Sequence, residues 1–158
     1  MNRMNRTLDQ QGRKWSEAAL RISGDTLHPS QVSASLGLEA TQSGIKGERF
    51  SPRHNALRRT SFWILKSPLG NYRPLEEHLN WLLDVLEPKC DLLISIRSKW
   101  KTEFFCGFSS ENGQGGVTLD PILLGRLARL GISLVLDLYP PESSLEVEVD
   151  TNRTNLDG

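Results

Sequence analysis

Cysteine is scarce in this chain: Cys90 and Cys106 are its only two. They form neither a CxxC pair nor the framework of a small disulfide-stapled domain, so reduced thiols are expected. An excess of one charge sign is also missing. Lys plus Arg and Asp plus Glu each number 19, which removes the global field that favours nucleic acid or an anionic membrane. Long hydrophobic runs are absent, since those near Ile64-Leu65 and Leu134-Val135-Leu136 fall far short of the roughly 18 residues of a spanning helix. Residues 1–15 are polar in character, so the expectation is an unprocessed cytoplasmic protein with no membrane partner.

Motifs that carry chemistry are thin as well. His28, His54 and His78 offer no HxxxH or HExxH spacing and no neighbouring cysteine, so no metal site is expected. No GxSxG occurs, and Asp84, Asp91, Asp120 and Asp137 have no spacing that implies paired acid and base work. Gly113-Gln114-Gly115-Gly116 lacks the Walker lysine and reads as a flexible connection, not a phosphate cradle. Cys106 can be drawn as a nucleophile with His54 or His78 as base, but it alternates with Phe104 and Phe108 and reads as a small buried hydrophobe. The chain is expected to be no enzyme, with no catalytic residue and no cofactor.

What is present is a scaffold. With 158 residues, 37% of them hydrophobic, the chain suits one core and not two. Residues 1–16 read as a disordered lead-in, 17–140 as a single domain, and 141–158 as an acidic tail. In that tail Leu145, Val147 and Val149 alternate with Glu146, Glu148 and Asp150, which suits either a short edge strand or a disordered end.

Thr26-Leu27-His28-Pro29 is echoed by Thr118-Leu119-Asp120-Pro121. In each, proline opens a helix where a missing amide costs nothing, and glycine (Gly37, Gly131) ends it. His28 is placed to cap the first helix, with Val32 and Leu36 facing the core. Residues 18–23 alternate as a half-buried strand, and residues 61–66, with Phe62-Trp63-Ile64-Leu65 unbroken, read as a central strand apolar on both faces. Residues 39–60 form either a functional loop or a hidden short strand pair.

Leu75, Leu79, Leu82, Leu83 and Leu86 make one stripe of a helix opened by Pro74 and closed before Pro88. Leu92, Ile94 and Ile96, then Phe104, Cys106 and Phe108, read as a hairpin turning near Trp100, with Arg97 opposite Glu103. Leu119, Leu124, Leu127 and Leu130 face the third helix inward, and Ile132, Leu134, Leu136 and Leu138 give the last strand. The expected fold class is α+β: a two-layer sandwich in β-α-β-α-β-β-α-β order, a mixed sheet of about five strands with about three helices mainly on one face.

The basic loop 46–59 is the one local charge feature. Arg49, Arg53, Arg58 and Arg59 are candidate partner-binding residues, because guanidinium forks bind carboxylates and phosphates bidentately and stack on aromatic rings. Trp63 reads as core. Trp100, between two lysines at the expected hairpin tip, is a candidate contact that could equally fold back over the sheet.

An ordered set of pieces resembles a known family. Leu27-His28-Pro29 with Leu36-Gly37-Leu38, Gly47-Glu48, Thr60-Ser61-Phe62-Trp63, Leu75-Glu76-Glu77-His78-Leu79, Leu119-Asp120-Pro121 with Leu130-Gly131, and Leu136-Asp137-Leu138-Tyr139 resemble small bacterial domains catalogued as domain of unknown function 4279. The resemblance spans residues 18–140 and implies no activity and no catalytic residues. By analogy, small α+β proteins often accompany bacterial toxins as immunity partners. The expected function is therefore a non-enzymatic protein-binding module, most concretely an immunity protein that neutralises a toxin encoded nearby. The alternative is a nucleotide- or RNA-binding domain using loop 46–59.

Overall fold

A strand whose side chains alternate without interruption organises the molecule. The computed structural model describes residues 15–109 and 117–139, the side chain of His54 excepted. Residues 1–14 of the expected lead-in, the 113–116 connection and the acidic tail lie outside them. Strand β1 spans Trp15–Gly24, so Trp15 and Ser16 belong to the sheet and not to the lead-in.

Its even positions Ser16, Ala18, Leu20 and Ile22 are buried. The chain then runs through α1 (Pro29–Leu36), three short strands β2 (Gln42–Gly44), β3 (Arg49–Ser51) and β4 (His54–Leu57), and β5 (Ser61–Lys66). It continues through α2 (Leu75–Leu86), a 3-10 turn, α3 (Cys90–Arg97), β6 (Lys101–Ser109), α4 (Pro121–Leu130) and β7 (Ser133–Tyr139).

The main sheet has five strands in the order β2-β5-β1-β6-β7, and β3-β4 form a separate pair. β1 runs antiparallel to both β5 and β6, while β7 runs parallel to β6. The sheet is mixed because α4 carries the chain back to start β7 in the direction of β6. The α+β sandwich expected from sequence is the observed architecture. Residues 61–66 form an interior strand between β2 and β1, β1 stands at the middle of the sheet, and residues 39–60 do hide a strand pair.

One expected strand is a helix. Residues 90–97 form α3, burying Leu93 and Ile96 and leaving Leu92 and Ile94 exposed. Three-residue spacing has overridden the two-residue alternation, because the segment continues α2 across the Pro88 turn and packs on the same core. The hairpin therefore does not exist, and β6 pairs instead with β1 on one side and β7 on the other. Arg97 instead donates to the Gly131 carbonyl, and Glu103 is paired elsewhere.

All helices contribute to a core with the buried strand positions, including Ala18, Leu20, Ile22, Trp63, Leu65, Phe104 and Cys106. Trp63 is fully buried, and its Nε1 donates to Ser33 Oγ on α1 at 3.0 Å. Cys106 is a core residue whose thiol burial pushes up to about 12. The α2 stripe is buried as expected.

Both αL glycines end their helices (Gly37 φ 63°, Gly131 φ 60°). Asp120 caps α4 through the Leu123 amide at 2.8 Å. His28 stands at the start of α1 without a side-chain cap bond. α4 buries Leu123, Leu127 and Leu130, and Leu124, expected inward, is exposed. Arg126 ties α4 to the end of α2, its Nε to Glu87 (2.9 Å), Nη1 to Asn80 (2.8 Å) and Nη2 to Asp84 (2.6 Å).

His78 is buried, with Nδ1 3.0 Å from the Ser67 hydroxyl and no hydrogen-bond partner for Nε2. Burial lowers its pKa, opposed by the carbonyls of Arg73 and Gly70 and the charges of Glu17 and Glu77. The unfolded imidazole takes its proton at about pH 6.5, so below that pH the unfolded state binds more protons than the folded one. Stability is full above this value and falls as pH drops toward the lower folded-state pKa. Denaturant titrations between about pH 7.5 and 5.5 should show a loss of up to about 1 kcal/mol per pH unit that His78→Gln reduces; an equal loss in the variant would remove His78 as the cause.

Candidate functional site: the helix-free face of the sheet

The odd positions of β1 point away from the helices, and register carries their neighbours onto the same surface. Ile64, Arg21, Glu103 and Ser133 stand in one row, Lys66, Ala19, Phe105 and Val135 in the next, and Glu17, Gly107 and Asp137 in a third. Trp15, Ser109 and Tyr139 form a fourth. No described helix covers this face, yet most of its side chains are only half-exposed, because they shield one another.

Arg21 is the hub. Its Nε donates to Glu103 Oε1 at 2.8 Å, and its guanidinium lies 4.2 Å from the centre of the Phe105 ring. Glu103 is buried and also pairs with Lys101 Nζ at 3.0 Å. Burial raises its pKa, but hydrogen bonds and charge from Arg21 and Lys101 outweigh this and hold the carboxyl below its ordinary value. Lys66 pairs with Glu17. The cations and carboxylates of this face thus largely neutralise each other in place.

At one end, Trp15 and Tyr139 meet edge to face, with ring centres 5.3 Å apart and planes at 86°. Both rings lean over Gly107, where an added Cβ would stand 3.0 Å from Trp15 and 3.2 Å from Tyr139. A hydrogen bond from Tyr139 to Asp137, together with the carboxylate's charge, raises the phenol's pKa.

At the other end the β3-β4 hairpin extends the surface. The Arg58 guanidinium lies 4.9 Å from the Phe50 ring and 5.0 Å from that of Phe62, which shares the helix-free side of β5 with Ile64. Such cation–aromatic contacts contribute about 0.5–1 kcal/mol each at exposed sites.

Of the residues singled out from sequence, Arg58 alone joins this stack. Arg49, Arg53 and Arg59 are exposed around the hairpin. Lys46 pairs with Asp25 at 2.5 Å, and hydrogen bonds from Lys46 and Thr60 with the lysine's charge lower the Asp25 pKa. Trp100 sits elsewhere. With no hairpin to carry it, it follows α3 and folds over Gly24, where an added Cβ would stand 2.6 Å from the indole, and its Nε1 donates to Thr26 Oγ1 at 3.1 Å.

Sequence reasoning did not single out Trp15, Arg21, Phe105 and Tyr139 as contact residues. The signal for the first two was the second half of the β1 alternation, whose odd positions are as regular as its even ones. Among the described residues, no three His, Cys, Asp or Glu side chains are grouped as a metal centre requires. No described helix is long and apolar enough to cross a membrane.

A family model described as "Domain of unknown function (DUF4279)" matches residues 13–141. The chain belongs to this family. No curated protein and no solved structure compared with it matches. The match spans β1 through β7, so the DUF4279 unit includes both the packed and the helix-free faces of the sheet.

In this DUF4279 domain Gly107→Ala should cost about 1–3 kcal/mol, the usual scale of overpacking, and should alter the near-ultraviolet signal of Trp15 and Tyr139. Gly125→Ala in α4, where an added Cβ meets nothing within 4 Å, should instead stabilise by about 0.4–1 kcal/mol. Thermal and denaturant unfolding check both; a neutral Gly107→Ala would refute the packing assigned to the two rings.

Proposed function

We propose that this domain is a non-enzymatic protein-binding module whose contact surface is the helix-free sheet face together with the β3-β4 hairpin. The observation that carries the reading is three groups of stacked side chains, Trp15 with Tyr139, Arg21 with Phe105, and Arg58 with Phe50 and Phe62, on a surface no described helix covers. Trp, Tyr, Phe and Arg are the residue types enriched at the energetic centres of protein interfaces. In its most concrete form the module neutralises a toxin encoded nearby by direct binding. That part rests on the analogy with small α+β immunity proteins. Action in the cytoplasm accords with Cys90 and Cys106 both being free thiols.

Stacked arginine and phenylalanine side chains also suit bases. The carboxylates of Glu17, Glu103 and Asp137 on the same face repel phosphates, however, and Arg21 and Lys66 are already paired with two of them. A protein surface, able to meet both signs of charge, fits better than RNA.

Co-expression with the product of the adjacent reading frame should yield a one-to-one complex by size-exclusion chromatography with light scattering. Phe50→Ala with Tyr139→Ala, both exposed rings, should weaken it on the order of tenfold or more, and Ile122→Ala on α4 should not. A chain that ignores its neighbour, or a complex indifferent to Phe50 and Tyr139, contradicts the proposal. Salt-sensitive binding of an oligoribonucleotide abolished by Arg53→Ala and Arg59→Ala would favour the alternative.

A further inference from the structure

On the opposite side of the molecule, α1 and α3 lie side by side and leave a cleft of about 160 Å³, lined by Gln31, Val32 and Ser35 from α1, Leu92, Ser95, Ile96 and Lys99 from α3 and its end, and Trp100. An apolar cavity of about 150 Å³ holds a benzene ring, so this volume takes a six-membered ring or a branched aliphatic group and little more. Val32, Ile96, Leu92 and the indole of Trp100 supply its apolar walls. The indole N–H is committed to Thr26, which fixes the ring in place and leaves its carbon framework to the cleft.

The polar groups set the other end of the ligand. Ser35, Ser95 and Gln31 offer hydroxyl and amide donors, and among the described residues Lys99 is the only charged one in the lining, which holds no carboxylate. The carbonyls at the end of α3, which would repel an anion, are already occupied: Ile94 by the Ser98 amide, Ser95 by the Ser98 hydroxyl, and Ile96 by the Lys99 and Trp100 amides.

We propose that this cleft binds a small monocarboxylate with an aromatic or branched aliphatic body, the body against Trp100, Val32 and Ile96 and the carboxylate on Lys99 and the serine hydroxyls. Clefts that combine apolar walls with a few convergent polar groups are the usual form of a small-molecule site. The site is independent of the sheet face on the other side, so either assignment can fail without the other.

The test is a nitrogen–proton correlation NMR titration of the full chain with phenylacetate, 2-phenylethanol and phenethylamine. The Trp100 indole N–H and the amides of Ser35, Ser95 and Lys99 are the reporters. Phenylacetate should shift these signals saturably at millimolar concentration, with the alcohol weaker and the amine weakest. Lys99→Gln should weaken phenylacetate roughly fivefold, the upper scale of one exposed ion pair. Ser35→Leu, on an exposed helical position, should fill the cleft and abolish the shifts in a folded protein. No saturable shift at these signals, equal binding of acid and amine, or an unchanged affinity in Lys99→Gln would each overturn the proposal.

Discussion

The period-two alternation of β1, held between two antiparallel neighbours, is the constraint on which the rest of the structure depends. Because Leu20 lies between Leu65 and Phe104, and Arg21 between Ile64 and Glu103, one strand sets the parity of three. Even positions of β1 join Trp63, Leu65, Phe104 and Cys106 beneath the helices. Odd positions join Phe105, Lys66 and Glu103 on the other side. A slip by one residue would exchange the two sets and place Arg21 and Glu17 in the core. The buried pairing of Glu103 with Arg21 and Lys101 reinforces the register, since a buried carboxylate deprived of its partners is strongly destabilising.

The same division separates two kinds of surface chemistry. The helix side ends in a small cleft that only one cation borders. The helix-free side carries aromatic rings and paired charges over three central strands and continues through Phe62 and Arg58 onto the β3-β4 hairpin. Gly107 makes the second surface workable, because any side chain there would displace Trp15 and Tyr139. Mutual shielding of this kind holds the side chains of an open face in defined positions, which would lower the ordering cost of the proposed binding.

Much of the scaffold was legible in the sequence, because it rests on local rules. Pro29 and Pro121 open helices and Gly37 and Gly131 close them, and the leucine stripe of α2 shows its own buried face. Residues 90–97 were misread because Leu92, Ile94 and Ile96 alternate while Leu93 and Ile96 also fit a helix; only the continuity of spacing from Leu82, Leu83 and Leu86 across Pro88 favoured the latter. Once that segment is a helix, the partner assigned to Glu103 changes from Arg97 to Arg21, which no local pattern could reveal. The stack of Arg58 between Phe50 and Phe62 was hidden for the same reason, as it joins β3, β5 and the residue that follows β4. Trp100, expected at a hairpin tip as a contact or folded back, follows a helix instead, and its indole lies over Gly24 with its N–H on Thr26.

The central claim is that β1 divides the molecule into a packed and an open face. Cysteine accessibility along β1 tests it most directly: single cysteines at positions 17 to 22, in a background with Cys90 and Cys106 replaced by alanine, reacted with a small thiol reagent under native conditions. Positions 17, 19 and 21 should react readily and 18, 20 and 22 only at the rate of global unfolding. Uniform reactivity along the strand, or protection of the odd positions in the isolated folded chain, would contradict the account.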